Sequence, residues 1–127
     1  MDAQTAFERR ARVQFLDVRT PREWQRGHIA GARHIPVDHL PGRLDELDRD
    51  RPVVVVCQVG LRSDMAAHYM RALGFEAHNL EGGLDAWVDS GLPVCDATGA
   101  PGRIIDPEWP PITPCEEEDA QPAGIGN

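Results

Sequence analysis

The 127-residue chain contains no lysine: all 13 of its basic side chains are arginine. We read that absence as coding bias rather than function. Cysteine is scarce, with residues only at 57, 95 and 115, no CxxC pair and no Cys/His cluster at zinc spacing. Such an odd, scattered set argues against a disulfide framework and against a zinc module. No metal or cofactor is therefore expected, and the expected compartment is a reducing cytoplasm. Long apolar runs are also missing. The longest, Pro52 to Cys57, suits one buried strand, so neither a signal peptide nor a membrane span is expected. Excess positive charge is absent too, since the net charge is −8. Residues 1–95 hold 14 acidic and 12 basic side chains, whereas 96–127 hold seven acidic residues and one Arg. This balance speaks against nucleic acid and anionic membranes as partners.

What remains is ordinary globular material, 41% hydrophobic and 27% charged, sized for one domain. Ala3 to Arg12 reads as a helix with Phe7 and Ala11 on one face, and Val13 to Val18 as a strand. Thr20-Pro21-Arg22-Glu23 combines a cap, a first-turn proline and a capping-box glutamate, and Gly27 closes that helix. Ala32 to Pro36 is a brief strand. Val37 to Asp48 carries Leu40, Leu44 and Leu47 at helical spacing. Pro52 to Val56 is the next strand, and Ser63 to Leu73 a helix with Ala66, Met70 and Leu73 on one face and Gly74 as its stop. Ala77 to Leu80 is a last strand, followed by a helix from Leu84 to Ser90. Strands alternating with helices predict a parallel sheet covered on both faces, with a site at the strands' carboxyl ends. The domain is expected to span 1–95. Residues 96–127, with six prolines, four glycines and the run Glu116-Glu117-Glu118-Asp119, read as an acidic tail, extended or partly disordered. Docking of Ile104, Ile105, Trp109 and Ile112 on the domain is the other reading of that segment.

A lone cysteine after an apolar strand is ordinarily a small core residue. Here Cys57-Gln58-Val59-Gly60-Leu61-Arg62-Ser63 leads straight into a helix. The sulfur then lies at a helix N-terminus, where unpaired amides and the helix dipole favour negative charge. An unperturbed thiol is only ~3% ionised at neutral pH, and such surroundings can bring its pKa down to ~3.5–7.5. Gly60 permits a positive-φ turn, and Arg62 supplies a planar cation suited to an oxyanion.

This loop resembles the active-site loop of the rhodanese family of sulfurtransferases. Two further stretches match in the same order. The first is Leu16-Asp17-Val18-Arg19 with Glu23-Trp24 and Gly27-His28-Ile29-Ala30-Gly31-Ala32; the second is Leu80-Glu81-Gly82-Gly83-Leu84-Asp85-Ala86-Trp87. Together they span about residues 6–94. The resemblance implies a rhodanese-like parallel sheet of four to five strands with helices on both faces. It also implies sulfur transfer without a cofactor, in which Cys57 becomes a persulfide and passes its sulfur to cyanide or a thiol. Gln58, Val59, Gly60, Leu61 and Arg62 would bind the sulfur group through their amides, while Asp17, Arg19 and Ser63 position the loop. The partners implied are a small sulfur donor, a thiol or cyanide acceptor and, as an extension, a protein acceptor.

Other matched residues read as structural: Gly82 and Gly83 as a turn, Trp87 as core, His28 as packing. Cys95 reads as an unpaired thiol; resolving the persulfide through a disulfide is the other reading, weaker still for Cys115 in the tail. The family's first edge strand has only Met1 to Thr5 available to it. Gln58 stands where members that use thiosulfate well often carry a basic residue, which opens the alternative of a thiol persulfide donor. Two rival functions follow. A phosphatase or arsenate reductase of related fold would have five residues between Cys and Arg, and here there are four. A persulfide carrier or binding module without turnover fits every residue.

Overall fold

The computed structural model describes residues 1–95, so the expected tail and Cys115 lie outside the described residues. In chain order the elements are α1 (Ala3–Glu8), β1 (Gln14–Asp17), α2 (Pro21–Arg26), β2 (Arg33–His34), two 3₁₀ segments (Val37–Gly42 and Leu44–Glu46), β3 (Val53–Val56), α3 (Leu61–Ala72), β4 (Ala77–Asn79) and α4 (Gly83–Asp89). The four strands form one parallel sheet in the order β2-β1-β3-β4.

β3 is four consecutive valines, all buried, as a central parallel strand covered on both faces requires. Successive side chains point to opposite faces. Val54 and Val56 join Phe15, Ala3, Ala6, Leu84 and Trp87 in one core layer. Val53 and Val55 join Leu16, Leu40, Ala66, Ala67 and Met70 in the other. Each such valine contributes roughly 1.5–3 kcal/mol of transfer free energy. On one side the Trp87 ring sits edge-on to Phe7 and Phe15, at 5.8 and 5.6 Å between centroids.

α2 has both halves of its capping box: Glu23 N donates to Thr20 Oγ1 (3.3 Å), and Thr20 N donates to Glu23 Oε1 (3.0 Å). Three sequence expectations change. The helix expected over Val37 to Asp48 is two 3₁₀ segments, because Pro41 has no N–H to continue an α ladder and Gly42 follows it; Leu40 and Leu47 are buried all the same. α1 ends at Glu8, where Arg10 Nη1 donates to the Phe7 carbonyl (2.8 Å) and satisfies an end group of the helix. α3 starts two residues early, at Leu61, and Leu73 stays 41% exposed. No strand precedes α1 among the described residues. Met1 instead extends the edge beside β4, its amino group donating to Asn79 O (3.0 Å) and its carbonyl accepting from Glu81 N (2.9 Å).

The chain runs from β1 outward to β2, then returns past β1 to place β3 on its other side. The crevice between the carboxyl ends of β1 and β3 is thus the switch point where α/β sheets place their sites. Asp17 ends β1, and Cys57 follows β3 directly.

Candidate active site

Cys57 is fully buried at the mouth of this crevice, and only Gln58, Val59 and Gly60 separate it from α3. Gly60, at φ 102°, is left-handed and turns the chain into the helix. Its amide donates to Cys57 Sγ (3.1 Å), as does that of Ser63 (3.4 Å), and Ser63 Oγ lies 3.2 Å from the sulfur. The amides point inward because the carbonyls are held from outside. Leu84 N donates to Cys57 O (2.8 Å) and Asp85 N to Gln58 O (3.1 Å), so the first turn of α4 carries the loop. This packing requires glycine at 83: a Cβ there would sit 2.4 Å from Gln58 O and 2.6 Å from Cys57 O, on a backbone at φ +65°.

Burial is the largest single influence on the thiol and pushes its pKa up. The Ser63 hydroxyl, then the amides of Ser63, Gly60 and Arg62, together outweigh burial and hold it below the ordinary value. The field at the sulfur thus comes from hydrogen bonds.

Arg62 enters that field through its amide. Its guanidinium is committed elsewhere, donating to both Glu23 oxygens at 2.8 and 2.9 Å. Arg62 in turn holds the Glu23 carboxyl at about 2, far below its ordinary value. The free oxyanion-binding cation expected from sequence is therefore a neutralised pair. Gln58 is engaged as well: its Oε1 accepts from Arg19 Nη1 (3.1 Å), and its Nε2 donates to Asp85 Oδ1 (2.6 Å). Arg19, 1% exposed, donates through Nε and Nη2 to Asp17, the closest contact being 2.7 Å, and through Nη2 to Gly27 O (2.7 Å). A continuous chain, Asp17–Arg19–Gln58–Asp85, runs beneath the loop from β1 to α4. Val59 and Leu61 point outward, 53% and 74% exposed, with Met65 of α3 at 75%.

Sequence reading missed four residues of this site. Glu23 was explained by its capping box, and its ion pair spans 39 positions. Gly83 and Asp85 lay in a motif read as a turn. Asn79, whose Oδ1 accepts from Ser63 Oγ (2.5 Å), carried no sequence signal. His28 is packed, its ring stacked on Trp24 at 3.4 Å and its Nδ1 2.9 Å from Trp24 O. Burial lowers its pKa. Its backbone bridges that of Cys95 in both directions (2.7 and 2.9 Å). Cys95 is not the unpaired thiol expected from sequence: it is disulfide-bonded, while Cys57 is free. Among the described residues no group of three or more His, Cys, Asp or Glu could hold a metal ion, and no helix is long and apolar enough to cross a membrane.

Known proteins resemble this chain in sequence and in fold. The chain is 44% identical over 77 residues to the uncharacterized protein YqhL of Bacillus subtilis, covering 60% of this chain and 61% of that protein, less than two-thirds of its length. It is 39% identical over 88 residues to a sulfurtransferase of Allochromatium vinosum, covering 68% of this chain and 82% of that one. It is 40% identical over 76 residues to the thiosulfate sulfurtransferase GlpE of Shewanella oneidensis, covering 59% and 75% of the two chains. Among solved structures, a rhodanese-related protein of Thermoplasma volcanium superposes with a TM-score of 0.72 at 34% identity, covering 74% of this chain and 94% of that one. The family model for the rhodanese-like domain matches residues 3–90, and the chain belongs to that family.

Proposed function

We propose that the protein is a rhodanese-type sulfurtransferase in which Cys57 carries the transferred sulfur as a persulfide. The observation that carries the reading is the buried Cys57 sulfur, ringed by inward-pointing donors at 3.1–3.4 Å. The Cys57 thiolate attacks the outer sulfur of a donor. The sulfur–sulfur bond of the donor breaks, and its electron pair leaves on sulfite or on a thiolate. A second nucleophile, cyanide or a thiol, then attacks the outer sulfur of the persulfide and returns the pair to Cys57. Leaving groups this stable need no general acid, and the amides of Gly60, Arg62 and Ser63 hold the anionic sulfur in each step.

The engaged Arg62 and Gln58 favour a thiol persulfide as donor over dianionic thiosulfate, because neither side chain offers an uncommitted charge. A second reading, a carrier that relays its sulfur to a protein, draws on the exposed Val59, Leu61 and Met65. The phosphatase alternative is disfavoured by the four-residue spacing to Arg62 and by that arginine's pairing with Glu23. Initial rates with both substrates varied test the reading. Double-reciprocal lines should be parallel, as for a ping-pong enzyme, and Cys57→Ser should be inactive. Intersecting lines, or Cys57-dependent hydrolysis of an aryl phosphate, would refute it. A carrier would load sulfur yet turn over slowly with small acceptors.

A further inference from the structure

We propose that Asn79 is a positioning residue for Cys57, acting through Ser63 in a hydrogen-bond relay whose polarity reverses when the sulfur loses its proton. The proposal rests on the reading of Cys57 as the reacting thiol. The relay spans three elements: the sulfur after β3, Ser63 in the first turn of α3, and Asn79 at the end of β4.

A hydroxyl carries one proton but can accept as well as donate. Ser63 Oγ has two partners, Cys57 Sγ at 3.2 Å and Asn79 Oδ1 at 2.5 Å. The hydroxyl is placed to donate to either, and with one proton it serves one at a time; the shorter contact is to Asn79, and in the neutral thiol we assign the proton there. The contact to sulfur then requires a proton on the sulfur, and the relay runs Cys57 S–H to Ser63 O–H to Asn79 O. This is the relay of the neutral thiol.

When the thiol passes its proton to solvent, the sulfur has none to give. The Ser63 proton turns to the thiolate, and Ser63 Oγ now needs a donor on its far side. Asparagine can supply one by rotating its side-chain amide half a turn, placing Nδ2 where Oδ1 was. The relay then runs Asn79 N–H to Ser63 O–H to Cys57 S⁻. Among similarly sized side chains, aspartate can only accept and leucine does neither. Aspartate at 79 would hold the Ser63 proton away from the sulfur.

The charged groups around this corner come from every packed element. They are Arg62 of α3, paired with Glu23 of α2, the Asp17–Arg19 pair at the end of β1, and Asp85 of α4, held by Gln58. The Met1 amino group donates to the Asn79 backbone carbonyl (3.0 Å) and pairs with Glu81 (2.9 Å). All of these are unchanged by the substitutions below.

The test is the pH profile of Cys57 alkylation by iodoacetamide, a neutral probe, resolved to the Cys57 peptide by mass spectrometry. Asn79→Asp and Ser63→Ala should each slow alkylation about tenfold near neutral pH, the equivalent of about one pKa unit, with an unchanged plateau in strong base. In a Ser63→Ala background, Asn79→Asp should change the rate less than about threefold, because the coupling needs the hydroxyl. Asn79→Leu, which leaves the hydroxyl free to face the sulfur, should stay within about threefold of the wild type. An equal effect of Asn79→Asp in both backgrounds would mean through-space charge and overturn the relay. So would Asn79→Leu slowing the reaction as much as Asn79→Asp. Alkylation reads the thiol and not sulfur transfer. A protein with this pattern that never gains sulfur would refute the proposed function and leave the relay standing.

Discussion

Glu23→Gln is the substitution that most sharply separates a site for dianions from a site for thiol persulfides. In the wild type the Arg62 charge is cancelled by Glu23 at 2.8 and 2.9 Å. Glutamine keeps an oxygen to accept from Thr20 N, so the α2 cap survives, while the carboxylate charge is gone. The change adds one net positive charge beside the Cys57 loop. With the charges ~8 Å apart in a water-like dielectric, a unit cation and a dianion attract by about 1 kcal/mol. That is about a fivefold gain in kcat/KM, because tenfold corresponds to about 1.4 kcal/mol. The assay is thiocyanate formation from thiosulfate and cyanide at low ionic strength, beside the same protein given an uncharged organic persulfide. The thiosulfate rate should rise about fivefold and the persulfide rate should stay within about twofold. At about 1 M salt, where the Debye length is ~3 Å, the gain should vanish. Arg62→Gln, which strands Glu23, should lower the thiosulfate rate by a similar factor. No gain, a gain that survives salt, or an equal gain with the uncharged donor would refute the electrostatic reasoning.

Three further outcomes follow from the same contacts. Because Arg62 holds Glu23 at about 2 against an ordinary 4.5, the pair's stabilisation is complete above about pH 4.5 and is lost as pH falls toward 2. Both partners are partly exposed, so we expect only about 1 kcal/mol. Urea midpoints of wild type and Glu23→Gln should differ near neutrality and converge in acid; a gap that persists there would contradict the linkage. Asp17→Ala leaves Arg19 buried without its carboxylate and should cost about 3–5 kcal/mol, read from the same denaturation curves. Gly83→Ala places a methyl 2.4 Å from Gln58 O at φ +65° and should cost about 2–4 kcal/mol. It should also lower the Cys57 alkylation rate, since the loop must move; a full rate in a folded variant would show that α4 does not shape the loop.

Much of this arrangement is legible in the sequence because it is local. The valine run, the Thr20–Glu23 capping box and Gly60 each state their geometry within a few residues, and the structure has them as read. The strand–loop–helix at Cys57 is local too, which is why that thiol stands out before any fold is known. What is hidden is the set of partners brought in across the sheet. The capping box explains Glu23 fully, so nothing points on to Arg62, 39 positions away. Asn79 reaches Ser63 only because β4 pairs with β3, bringing Val55 beside Asn79. Gln58 reads as a loop side chain free to meet a donor until Arg19 and Asp85 are seen on either side of it. The 37–48 segment fails for a different reason: its leucine spacing is helical, and a single proline changes the kind of helix without changing what is buried.

If Cys57 accepts and surrenders one sulfur atom, intact-mass spectrometry measures the exchange directly. The protein is incubated separately with thiosulfate and with a low-molecular-weight persulfide, desalted and weighed. The expected result is a gain of one sulfur atom, its removal by cyanide, and no gain in Cys57→Ser. A wild-type protein that gains no sulfur from either donor, or a Cys57→Ser variant that still does, would contradict it.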